Sequence, residues 1–140
     1  KIRQKGLDPN LIWPSDYGIR FYSDVLAATE KTIQEKPDLV SRFVRASLRG
    51  WRNAVENYQQ AAKVSLKYAR AKDPDLQEAM MEALLPLVHT GRGRIGDMEP
   101  EIWREMFDIL REDDLLADPF NIDEAYTLRF LEDASEGEKR

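Results

Sequence analysis

Apolar positions recur with helical spacing along most of the chain. From Pro37 they fall at Leu39, Val40, Phe43, Val44, Leu48, Trp51, Ala54 and Val55. Steps of one, three and four residues predict an amphipathic helix of about five turns. Pro37 suits its first position and Asn57 its end. A further helix is expected over about residues 59–70, with Ala61, Val64 and Tyr68 on one side. Asp73 caps the next, with Pro74 opening it and Leu76, Met80, Ala83, Leu84, Leu87 and Val88 as its inner face. Pro86 should kink or end that helix. Gly91, Gly93 and Gly96 make residues 90–97 a loop. Pro100 opens a helix carrying Trp103, Met106, Phe107 and Leu110. Residues 113–120 read as a connection. Asp123 is placed to cap a last helix bearing Tyr126, Phe130 and Leu131. From Ala134 the chain is a polar, frayed tail.

The first thirty residues read differently. Residues 1–6 look like the last turn of a helix closed by Gly6. Leu11, Ile12 and Trp13 form a short apolar run between Asn10 and Pro14, which predicts a buried strand. Ser15, Asp16, Tyr17 and Gly18 make a turn. Residues 19–28, with Tyr22, Val25 and Leu26, predict a second strand. Thr29 caps a short helix over residues 30–36. The expectation is thus a mainly α-helical segment of about six helices with about two short strands. Two strands do not make a stable sheet alone. With a helix already ending at residue 6, this leads us to expect a segment of a longer chain whose other strands lie upstream.

Composition narrows the chemistry. The chain has 140 residues, 42% hydrophobic and 34% charged, which suits one globular domain or a piece of a larger one. The net charge is −5 and the pI about 5.0, against a nucleic-acid partner, which would need a basic face. No apolar run approaches the roughly 20 residues that span a bilayer. There is no cysteine and a single histidine, His89. Disulfides, zinc–thiolate sites, iron–sulfur ligation and cysteine nucleophiles are excluded, and a histidine-rich metal site is impossible.

Few motifs carry chemistry. Gly91, Gly93 and Gly96 match the GxGxxG spacing of a nucleotide loop, but a helix precedes them where a strand is required, so the reading is a plain loop. His89 closes a helix without a local nucleophile or acid, so a dipole contact is expected. Asp113-Asp114 and Asp97 with Glu99 lack the spacing of a calcium loop and read as solvated faces. The neighbourhood of Trp13, Asp16, Tyr17 and Tyr22 is more informative. Aromatics flanking a polar turn suit a concave site that stacks a planar or apolar ligand. Tyr17, Asp16 and Trp13 are the candidate ligand-binding residues, the alternative being that Trp13 and Tyr22 are core. No catalytic residue, metal ligand or cofactor site is expected.

A longer pattern has a family likeness. Asp16-Tyr17-Gly18-Ile19-Arg20-Phe21-Tyr22-Ser23-Asp24-Val25-Leu26 carries it, followed by residues 35–40 and 43–51. Ile95-Gly96-Asp97-Met98-Glu99-Pro100-Glu101-Ile102-Trp103 and residues 126–131 continue it. The chain resembles the C-terminal portion of substrate-binding proteins of ABC importers for nitrate, sulfonate, taurine and thiamine-pyrimidine precursors. It departs from their pattern at Asn57-Tyr58-Gln59-Gln60, where an Asn-Pro-Glu-Glu helix start is usual. The resemblance implies a type II periplasmic-binding-protein fold, α/β with two lobes around a ligand cleft. Residues 1–133 would supply the last strand of the second lobe, the hinge at Asp16, Tyr17 and Gly18, the return strand and C-terminal helices, with residues 134–140 as tail. It implies a non-enzymatic, periplasmic or extracellular solute-binding protein whose partners are a small-molecule ligand and an ABC permease membrane subunit. A sensory input domain of the same fold and a thiamine-pyrimidine-synthase-like enzyme are the rivals. The segment alone is expected to self-associate through its apolar N-terminal thirty residues.

Overall fold

The computed structural model describes residues 2–70, 73–89, 91, 93–116 and 121–136. Among the described residues six α-helices carry the fold: α1 (Glu30–Glu35), α2 (Pro37–Glu56), α3 (Tyr58–Ser65), α4 (Pro74–Val88), α5 (Pro100–Glu112) and α6 (Arg129–Glu136). They divide into two compact units. One comprises Lys1–Thr29 with Met98–Leu128; the other comprises Glu30–Asp97 with Arg129–Arg140.

In the helical unit, α2 is the spine. Pro37 stands at its first position and Asn57 closes it by donating its N–H to the Asn53 carbonyl at 2.9 Å. α2 packs on α6 and α3, and α3 packs on α4. The core is small: Leu48, Ala62, Phe130, Leu131 and Ala134 are between 2% and 7% exposed. Gly96 lies against it. A Cβ there would sit 3.3 Å from Leu131 Cδ1 and 3.5 Å from Leu48 Cδ2, and its φ of +92° is one that side-chain-bearing residues rarely adopt. The loop's third glycine is therefore a packing requirement. Asp73 caps α4 as expected, accepting from the Leu76 N–H at 3.0 Å.

Several expectations are corrected. No strand occurs among the described residues. Residues 11–13 and 19–28 lack the cross-strand ladder that defines one, because the described residues offer no partner strand. α2 buries only Leu48 of its eight apolar positions, while Leu39, Phe43 and Trp51 are 48%, 59% and 44% exposed. Periodicity sets the width of such an arc but not which part meets a neighbour. α4 touches α3 on one side only, leaving Met80, Leu84 and Leu87 exposed. α3 ends at Ser65, and Tyr68, expected on its inner side, is 85% exposed. α4 runs through Pro86 to Val88, since a proline this near the C-terminus removes only one late backbone bond. Asp123 sits in a separate 3-10 turn, Ile122–Glu124, and α6 starts six residues later. Ala134, expected to open the tail, is buried within α6. Residues 1, 71, 72, 90, 92, 117–120 and 137–140, including Arg92 of the glycine loop and most of the tail, lie outside the described residues.

Candidate functional site

The turn expected around Asp16 forms. Pro14, whose ring fixes φ, opens a 3-10 turn over Pro14–Tyr17. Trp13 enters it in extended conformation, with φ −97° and ψ 128°. The Asp16 N–H donates to the Trp13 carbonyl at 3.0 Å and the Ile19 N–H to the Pro14 carbonyl at 3.0 Å. Gly18 ends the turn with φ +77°, a left-handed position that glycine occupies without strain. Backbone bonds alone thus hold a turn that presents its side chains outward.

All three candidate ligand residues are exposed here. Tyr17 is 72% and Trp13 51% exposed, and Asp16 is exposed as well. No ring contact joins Trp13 to Tyr17 among the described residues, and none of the three side chains makes a hydrogen bond there. The turn therefore offers two aromatic faces, a phenol and a carboxylate to a ligand. A planar ring with N–H donors matches that set.

The chain leaving the turn is fixed to α5. The Arg20 guanidinium forms a two-pronged ion pair with the Glu105 carboxylate, which raises the Arg20 pKa. The Tyr22 hydroxyl accepts the Glu99 N–H at 2.7 Å, at the first residue before α5. The Tyr22 N–H points to Met106 Sδ at 3.3 Å. Burial pushes the Tyr22 phenol pKa up, opposed by that Glu99 N–H. The Tyr22 ring lies 5.7 Å from Trp103, which stacks on Tyr126 at 5.1 Å with planes 4° apart. Tyr22 is thus structural, the alternative left open by sequence. Arg20 and Glu105 were not singled out by sequence, and Glu99 was read only as part of a solvated acidic face, since the pairs span 77 to 85 residues and carry no local signal.

The glycine loop is closed by its own chain. Asp97 accepts the Arg94 N–H at 2.7 Å and pairs with its guanidinium at 2.9 Å. The Arg94 hydrogen bonds hold the Asp97 carboxyl below its usual range. His89 is exposed at the end of α4. Among the described residues no group of three or more His, Asp or Glu side chains could hold a metal ion, and no helix is long and apolar enough to cross a membrane.

Two of the depressions formed by the described residues bear on the candidate site. One, of about 350 Å³, lies in the helical unit beside Ile33, Pro37, Asp38, Arg129 and Phe130. The other, of about 90 Å³, lies in the N-terminal unit beside Trp103, Met106, Phe107 and Ile122. Neither is lined by Trp13, Asp16 or Tyr17.

Comparison with known proteins bears on this arrangement. Residues 1–61, which include the turn, α1 and all of α2, match the family described as NMT1/THI5 like. The chain is 28% identical over 137 residues to the riboflavin-binding protein RibY of Chloroflexus aurantiacus, covering 94% of this chain and 39% of that protein. It is 30% identical over 131 residues to the formylaminopyrimidine-binding protein of Halalkalibacterium halodurans, covering 90% of this chain and 40% of that protein. The chain thus spans about two fifths of the length of these curated relatives. No solved structure matches it. Both named relatives are binding proteins, and the first 61 residues of this chain are similar to the NMT1/THI5-like family.

Proposed function

We propose that this chain is the C-terminal portion of an extracytoplasmic solute-binding protein that delivers its ligand to an ABC permease. The ligand is a planar nitrogen heteroaromatic, and the protein is not an enzyme. The observation that carries the reading is the pair of relatives aligned over nine tenths of the chain. One is named for riboflavin and the other for a formylaminopyrimidine, both planar rings bearing N–H groups and ring nitrogens. The exposed turn supports it. Tyr17 and Trp13 supply stacking faces and Asp16 accepts from a ring N–H or amine.

The same geometry supports a hinge. Gly18 holds a left-handed conformation between an exposed turn and a segment tied down at Arg20 and Tyr22. Rotation about Gly18 would swing the turn while α5 holds the chain beyond it. Calorimetry on the full-length protein with riboflavin and with a formylaminopyrimidine tests the assignment. Saturable binding of one or both is expected. Absence of binding to either ring, in folded protein, would overturn the ligand class.

A further inference from the structure

The turn that carries Trp13, Asp16 and Tyr17 belongs to the same compact unit as α5. Its hydrogen bonds are internal. The Asp16, Gly18 and Ile19 N–H groups donate to the Trp13, Ser15 and Pro14 carbonyls at 3.0–3.1 Å. Among the described residues no hydrogen bond or ion pair joins residues 7–19 to α5. The ties begin just past Gly18. The Arg20 Nε donates to Glu105 Oε2 at 2.8 Å while its Nη2 engages Oε1, so the planar fork meets the carboxylate in two prongs. Two residues on, the Tyr22 hydroxyl accepts the Glu99 N–H at 2.7 Å and its ring lies 5.7 Å from that of Trp103.

The two ties differ in kind. Tyr22 is partly buried, and ring packing is indifferent to salt. The Arg20 and Glu105 side chains are 45% and 39% exposed, so dissolved ions reach this pair and screen it. It is also the tie nearer to Gly18, whose φ of +77° marks the point about which the turn can swing.

We propose that Arg20 and Glu105 are positioning residues for the ligand: their ion pair sets where the turn stands against α5, and thereby makes affinity for an uncharged ring depend on ionic strength. This role rests on the turn being the ligand surface. With the pair open, the turn samples more placements about Gly18, and only some of them meet the ligand. The apparent dissociation constant rises as the competent fraction falls. Exposed ion pairs contribute little and the Tyr22 tie persists, so the effect is limited to about fivefold.

Calorimetry on the full-length protein with riboflavin and with a formylaminopyrimidine tests this, at a mildly alkaline pH where both rings are uncharged. Affinity of the natural protein should fall about twofold to fivefold between roughly 0.05 and 0.5 M NaCl. Arg20→Gln should bind at low salt as weakly as the natural protein does at high salt, and its affinity should not vary with salt. The swapped pair, Arg20→Glu/Glu105→Arg, should recover both the affinity and its salt dependence, which a contribution to stability alone would not produce. Arg111→Gln removes another exposed pair of α5, made with Asp108 at 3.3 Å, and should leave affinity and salt dependence as they are. Circular dichroism checks that each variant folds, and the salt series on the natural protein needs no variant. Binding that ignores salt in the natural protein would overturn the positioning role while leaving the ligand class standing. So would a folded Arg20→Gln protein with natural affinity and salt dependence, or a folded swap as weak as Arg20→Gln. Absence of binding to either ring would overturn the ligand class, and the positioning role with it.

Discussion

Trp103→Ala should cost the N-terminal unit about 4 kcal/mol. The indole is held between Tyr22 and Tyr126 and lines the 90 Å³ depression with Met106 and Phe107. Returning roughly 150–200 Å² of its surface to water, at about 25 cal/mol per Å², costs about 4–5 kcal/mol. Two ring pairs add about 1–3 kcal/mol in total. Against this, the Trp103 Nε1 is buried without a hydrogen-bond partner among the described residues, and deleting such a donor returns about 1–3 kcal/mol. The last two contributions nearly offset each other. Trp103→Phe separates them, since it keeps most of the ring and removes the orphan donor. That variant should lie within about 1 kcal/mol of the natural chain. Urea unfolding followed by tyrosine fluorescence reads both, with hydrogen exchange at Tyr22 and Glu99 as the local probe. A loss below about 1 kcal/mol for Trp103→Ala would refute the packing argument.

The other substitutions follow from the same geometry. Trp51→Ala should cost about 2–3 kcal/mol by thermal denaturation, because the ring is 44% exposed; a fully buried ring would put it at about 3–5 kcal/mol. Gly96→Ala should cost about 2 kcal/mol, from its positive φ and the approach of Leu131 and Leu48, and should lower the melting temperature. Asp97 has a folded pKa below its unfolded value, so its pairing with Arg94 stabilises above the unfolded value, near pH 4, and is lost as pH falls through the folded value. Acid titration of stability should show this dependence in the natural chain and lose it in Asp97→Asn; identical acid profiles would contradict it.

The legible parts of this fold were those written locally. Pro37 and Asn57 bracket α2, Asp73 and Pro74 open α4, and Pro100 opens α5, each through a cap or ring that acts within a few residues. The turn at Asp16 was legible for the same reason, its conformation being set by Pro14 and Gly18. What stayed hidden depends on distant neighbours. Whether Leu48 or Phe43 meets α6 is decided by docking, not by spacing. The strands expected at residues 11–13 and 19–28 rested on β-branched and aromatic content, which describes a surface that fits a sheet but cannot supply the partner strand. The ties from Arg20 and Tyr22 to α5 cross more than seventy residues and leave no periodic trace.

The central claim is that the exposed turn holds the ligand. Its most direct test is calorimetry of the full-length protein and its Tyr17→Ala variant with whichever heteroaromatic binds. Tyr17 is 72% exposed and has no hydrogen bond among the described residues, so the substitution should leave stability nearly unchanged. Affinity should fall by about 1–3 kcal/mol, roughly fivefold to a hundred-and-fiftyfold, for a lost ring face and hydroxyl. Unchanged affinity in a folded Tyr17→Ala protein would contradict the assignment and place the ligand elsewhere.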